Sequence, residues 1–168
     1  MKKTILFIFV IVLGACSKSF EPYTTPLVST SISGSVLWNR ITVDTDYESY
    51  SFWPGHEGNQ PGQSPHGAYH KIYINKVLFE ALPVKNKISP IGTIIVKENL
   101  SSAKVLDSIT VMAKVKGYNP EAGDWFWAKY SPEGKVLAEG SPKGCISCHE
   151  GMSANDYIIV RGLDTELK

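Results

Sequence analysis

The chain is short of what a disulfide scaffold, a nucleic-acid binder or a helical bundle needs. Its 168 residues contain only three cysteines. Cys145 and Cys148 stand three apart, where a disulfide is strained and closes almost no loop, so a cross-linked scaffold is excluded. No basic block occurs, and no stripe of interleaved basic and aromatic residues, which removes nucleic acid from the partners. Ten prolines and fourteen glycines interrupt the chain too often for four long amphipathic helices. Internal repeats are absent. Methionine is scarce as well: beyond Met1 there are Met112 and Met152.

What is present begins with Lys2 and Lys3, followed by an apolar run from Ile5 to Leu13. That is the charge and length of a secretory signal, too short for a membrane span. Leu13-Gly14-Ala15-Cys16 has the form of a bacterial lipobox, so residues 1–15 are expected to be removed and Cys16 lipidated. The alternative is an ordinary signal peptide with an incidental cysteine. Lipid would anchor an exported protein to a bacterial membrane, facing the periplasm or the cell exterior, without a spanning helix. Residues 16–35, rich in Ser, Thr and Pro, read as a tether, and residues 36–168 as one folded domain. Without Lys2 and Lys3 the 17 basic residues fall to 15, against 16 acidic. A nearly neutral chain suits a small or uncharged partner.

The densest chemical signal is Cys145-Ile146-Ser147-Cys148-His149. In an exported protein this run reads as a covalent c-type haem attachment site. Two thiols one helical turn apart can bond the two vinyl groups of a haem, and the histidine that follows can ligate the iron. A dithiol redox pair would sit at a helix start after a strand, whereas Gly140 to Gly144 is loop-like. A zinc site would have Cys145, Cys148 and His149 and would borrow His56, His66 or His70. Haem attachment to thiols takes place outside the bacterial cytoplasm, so motif and export signal support each other. Cys16 then goes to lipid and the other two cysteines to haem.

The rest of the pattern is β-rich. Thr45-Asp46-Tyr47-Glu48 fits a capping box, which predicts a short helix ending at Trp53, before Pro54-Gly55. His56 to Gly67 is too rich in glycine and proline for a regular element and reads as a binding loop. Tyr69 to Ile74 predicts a strand, and Asn75 caps a short helix through Leu82, stopped by Pro83. Strands are predicted at 93–96, 108–116 and 125–130, with a turn at 131–134 into a strand at 135–138, and a last strand at 157–160. Of the two methionines, Met152 follows His149 too closely to cross a haem plane, and Met112 reads as a packing residue. An open or weakly occupied distal iron position is expected, favouring ligand binding or catalysis.

Three residues are candidates for that side. Strand alternation puts Lys97 and Glu98 on opposite faces, so either could point inward, and a lysine at a strand end can also reach solvent. His66, in the breaker-rich loop, has a near-neutral unperturbed pKa suited to proton transfer, or it is a surface histidine. His56 and His70 are weaker choices.

Several segments together resemble the cytochrome P-460 family: His66-Gly67, Tyr73-Ile74-Asn75, Pro90 to Glu98, Lys116 to Pro120, Gly123 to Ala128, and the haem motif followed by Asp156-Tyr157. The resemblance implies an α+β domain, mostly antiparallel β-sheet with a few short helices around one covalently bound c-type haem, and a homodimer. It also implies a five-coordinate iron. In the enzymes that name the family a lysine is cross-linked to the porphyrin and hydroxylamine is oxidised, and the matching position here is Lys97. The related cytochromes c′-beta lack the cross-link and bind nitric oxide or carbon monoxide. The expected function is therefore redox chemistry on a small nitrogen species with a redox partner protein, or gas binding, or electron shuttling.

Overall fold

The computed structural model describes residues 26–166. The signal segment and Cys16 lie outside the described residues. Seven strands form one antiparallel sheet: β1 (Ser51–Phe52), β2 (Gln60–Pro61), β3 (Tyr69–Ile74), β4 (Ile94–Leu100), β5 (Leu106–Lys114), β6 (Trp125–Tyr130) and β7 (Val136–Gly140). Their order is β1-β3-β4-β5-β6-β7, with β2 also paired to β3. Among the described residues there are also three short α-helices, α1 (Gly34–Asn39), α2 (Lys76–Ala81) and α3 (Lys143–His149), besides π- and 3₁₀-helical turns.

Both faces of the sheet are covered, which is why β4 reads as an unbroken apolar run before Lys97. On one face Ile94, Val96, Val111, Ala113, Phe126 and Tyr130 pack against Leu37, Ile41 and Tyr47. On the other, Ile72, Ile74, Ile95, Met112, Trp125 and Trp127 pack against Trp53, Leu78 and Leu163, with Cys145 and Ile146 at the margin. Asn75 holds α2 to the sheet: its Oδ1 accepts from the Leu78 and Ile94 amides, and its Nδ2 donates to the Gly92 carbonyl.

Four expectations change. The predicted helix after Asp46 is a single 3₁₀ turn, Tyr47–Ser49, capped by the Asp46 carboxylate on the Glu48 amide at 3.0 Å. Ser51 and Phe52 then pair with Ile74 and Tyr73, so the edge of β3 gives their backbone groups partners that a longer helix would have supplied within the chain. The loop 56–67 contains a two-residue strand, since Gln60 and Pro61 pair with His70 and Tyr69. No strand forms at 157–160: Asp156 and Tyr157 have φ of +55° and +66°, a left-handed turn that ends extended geometry. The packed chain also starts ahead of residue 36, with Leu27 buried against the first core layer and α1 capped by Ser33.

Alternation resolves the Lys97 and Glu98 pair. Glu98 faces the α1 side, buried, where it accepts from Tyr47 Oη at 3.1 Å and from Lys71 Nζ at 2.9 Å. Burial and then this carboxylate raise the Tyr47 pKa, keeping the phenol a donor. Glu98→Ala would leave both donors without their acceptor. It should lower stability by about 2–3 kcal/mol in urea unfolding. Glu98→Gln, which keeps an acceptor for Tyr47, should cost less.

Candidate functional site

After β7 the chain turns through Ser141-Pro142 into α3, and the Pro142 carbonyl accepts the amides of Cys145 at 3.0 Å and Ile146 at 3.1 Å. This first turn sets the two cysteines one helical turn apart. Cys145 is half-buried and Cys148 exposed, and both thiols are free. Burial raises the Cys145 pKa, so it rests as a thiol.

His149 ends α3. Its Nδ1 lies 2.8 Å from the Tyr157 carbonyl oxygen. A carbonyl only accepts, so Nδ1 carries the proton and Nε2 keeps its lone pair for a metal. The carbonyl is delivered by the left-handed pair Asp156-Tyr157, and that turn is tied down from below. Asp156 takes the buried Lys114 ammonium on one carboxylate oxygen and the Ser89 amide (2.8 Å) and hydroxyl (2.6 Å) on the other. Trp125 Nε1 donates to the Asp156 carbonyl at 2.9 Å, and the Lys114 ammonium stands 4.8 Å from the Trp125 ring centre. Sequence reading missed Lys114, Ser89 and the Tyr157 carbonyl. Nothing local marks them, because their partners lie on other strands and turns.

Around His149 the sheet presents a polar group. The Trp127 ring is 4.8 Å away and the His66 ring 6.3 Å, centre to centre. His66 is carried there by a loop folded on itself, with the Gly62 amide donating to the Ala68 carbonyl and the His66 amide to that of Gln63, both at 2.8 Å. Gly67, at φ +78°, lies so close to β4 that a Cβ would stand 2.5 Å from the Leu100 carbonyl oxygen, which requires glycine. Desolvation, then the charges of Lys97 and His149, push the His66 pKa down to about 4, opposed by the Asn99 side chain. Lys97 is half-buried on the same face as Ile95, and desolvation lowers its pKa too. His70 is held down to about 4 by desolvation and then by Lys97. His56 has no ring contact with this group among the described residues. Glu98 is on the opposite face and Met152 is exposed.

Four buried side-chain polar atoms have no hydrogen-bond partner among the described residues. Three of them, His70 Nδ1, Asn99 Oδ1 and Trp127 Nε1, belong to residues of this one face.

The cytochrome P460 family model matches residues 45–160. The chain belongs to the cytochrome P460 family. The match takes in all seven strands, α2 and α3, and leaves α1 ahead of it. No curated protein matches the chain. Cytochrome P460 proteins bind haem c covalently, so this is a c-type haem cytochrome with the β-rich α+β fold expected of it. The residues present fit that group. Two free thiols a turn apart, an imidazole with its Nε2 available, and unpaired polar atoms on the adjoining face are the donor set that a covalently held, carboxylate-bearing macrocycle needs. Among the described residues no helix is long and apolar enough to cross a membrane.

Two outcomes follow from this geometry. Asp156→Ala leaves the Lys114 cation buried without its partner and should destabilise the protein by about 3–5 kcal/mol in thermal unfolding. His70 is neutral in the fold but takes a proton below pH 6.5 in the unfolded chain. The unfolded state therefore binds more protons between pH 6.5 and 4, and stability falls as the pH drops through that window. The effect is on the order of 1 kcal/mol for a half-exposed ring. Urea midpoints measured from pH 7 to 5 should flatten in His70→Gln.

Proposed function

We propose that this cytochrome carries out redox chemistry on a small nitrogen species, with hydroxylamine as the leading substrate. The observation that carries the reading is His66, neutral and partly desolvated, facing His149 with the Lys97 amine on the same sheet face. An electron carrier has no need of proton-handling groups there.

In this reading Cys145 and Cys148 would attach the haem and His149 Nε2 would ligate its iron, and the group would supply the redox couple that a partner protein exchanges electrons with. His66 accepts the protons that oxidation of an N–H or O–H bond releases. Desolvation lowers the Lys97 pKa and so raises the share of nucleophilic amine above that of an exposed lysine, which suits it to a porphyrin cross-link. The apolar run after Lys2 and Lys3 and the lipobox-like Leu13-Gly14-Ala15-Cys16 support an exported, lipid-anchored protein, and the family resemblance supports a homodimer.

A second reading is a nitric oxide or carbon monoxide binding protein without turnover. It is favoured by the same facing histidines if Lys97 stays unlinked. Anaerobic assay with hydroxylamine and an artificial acceptor decides between them. Turnover is expected, reduced roughly 10²-fold or more in His66→Leu, the usual cost of losing a general base. A strongly red-shifted band in the reduced protein is expected to vanish in Lys97→Ala. Gas binding without turnover would leave the second reading, and neither would leave an electron shuttle.

A further inference from the structure

Asp156 and Tyr157 are consecutive residues in the left-handed region, at φ +55° and +66°, and neither is glycine. Side chains avoid that region, an aromatic one above all, so such a pair persists only where its surroundings over-determine it. The Asp156 amide donates to the Ser153 carbonyl at 3.0 Å and the Tyr157 amide to that of Met152 at 2.9 Å, which folds the turn back on the segment that follows His149. Tyr157 Oη donates to the Glu121 carbonyl at 3.2 Å. The Lys114 ion pair and Ser89 hold the Asp156 carboxylate.

Asn155 grips the other side of the turn. It is buried, and both of its carboxamide protons are used: Nδ2 donates to the carbonyls of Ile158 at 2.7 Å and Arg161 at 2.8 Å. Its Oδ1 accepts the Leu163 amide at 2.8 Å. Its backbone carbonyl accepts the Ile158 amide at 3.1 Å. That amide belongs to the same peptide group as the Tyr157 carbonyl, so the bond polarises the oxygen that meets His149. All of these contacts converge on one product, a carbonyl oxygen held 2.8 Å from His149 Nδ1.

We propose that Asn155 and Asp156 are positioning residues of the haem site, which hold the Tyr157 carbonyl on His149 and so make the imidazole a stronger iron ligand and lower the reduction potential. An N–H given to an acceptor moves electron density to the opposite ring nitrogen, here Nε2, and raises its basicity. A more basic axial nitrogen favours ferric over ferrous iron, and second-shell hydrogen bonding is one of the levers by which a protein sets a haem potential. The proposal rests on haem attachment and on His149 as the iron ligand, and not on the identity of the substrate.

Resonance Raman spectra and redox titration of the holoprotein test this. Asn155→Ala changes no charge, so it leaves the field at the haem alone. It should lower the frequency of the ferrous iron–imidazole stretch and raise the potential. At a fixed ambient potential the ferrous-to-ferric ratio should rise roughly tenfold, which is about 59 mV for a one-electron couple. Asp156→Asn keeps the side-chain shape, gives up the full charge pairing with Lys114, and should lower the same stretch. A merely structural role would lower the unfolding midpoint and leave stretch and potential where they are, and that result overturns the proposal. Should the variants fail to fold or to retain haem, the wild type still decides. The His149 Nδ1 proton, a hyperfine-shifted resonance in the ferric protein, should outlast transfer into heavy water, and its loss on mixing overturns the proposal. A wild type with no iron–imidazole stretch overturns His149 as the ligand and the proposal with it, whereas unchanged spectra in both variants overturn the proposal alone.

Discussion

The buried Lys114–Asp156 ion pair is the constraint on which the functional face depends. A lysine and an aspartate at 4% and 5% side-chain exposure are costly to bury, and that cost is offset by further hydrogen bonds to Asp156. Ser89 satisfies the second carboxylate oxygen, and Trp125 satisfies the Asp156 carbonyl. The return is geometric. Asp156 and Tyr157 are held in a left-handed turn that ordinary side chains avoid, and only there does the Tyr157 carbonyl meet His149 Nδ1. The imidazole tautomer, and so the nitrogen left free, is set by a charge pair on the far side of that turn.

The sheet does the complementary work of separation. With a period of two, Lys97 and Glu98 are sent to opposite sides, each into a different chemistry. Glu98 becomes part of a paired network with Tyr47 and Lys71 that stabilises the α1 side. Lys97 enters a partly desolvated group with His66, His70 and Asn99, where burial first and its charge second depress both histidines. The left-over polar atoms of that face make sense as positions for a bound cofactor, since buried donors and acceptors without partners are otherwise rare.

The chain itself determined a good deal. Cys145, Cys148 and His149 announce haem c because their chemistry is local, set by one helical turn. The strands from Tyr69 to Gly140 are legible because β-branched alternation and turn residues are local signals, and Asn75 caps its helix as predicted. Scarcity of methionine pointed away from a methionine ligand, and the breaker-rich loop marked His66 as a candidate for the same side. Tertiary structure alone decided which of Lys97 and Glu98 faces the site, that Gly67 lets His66 come against β4, and that Asp156 is a buried anchor. It also cancelled the strand at 157–160, where tertiary bonds to Ser89, Lys114 and Trp125 hold a turn against a β-favouring sequence. Those outcomes depend on contacts between residues distant in the chain, and local propensity cannot encode them.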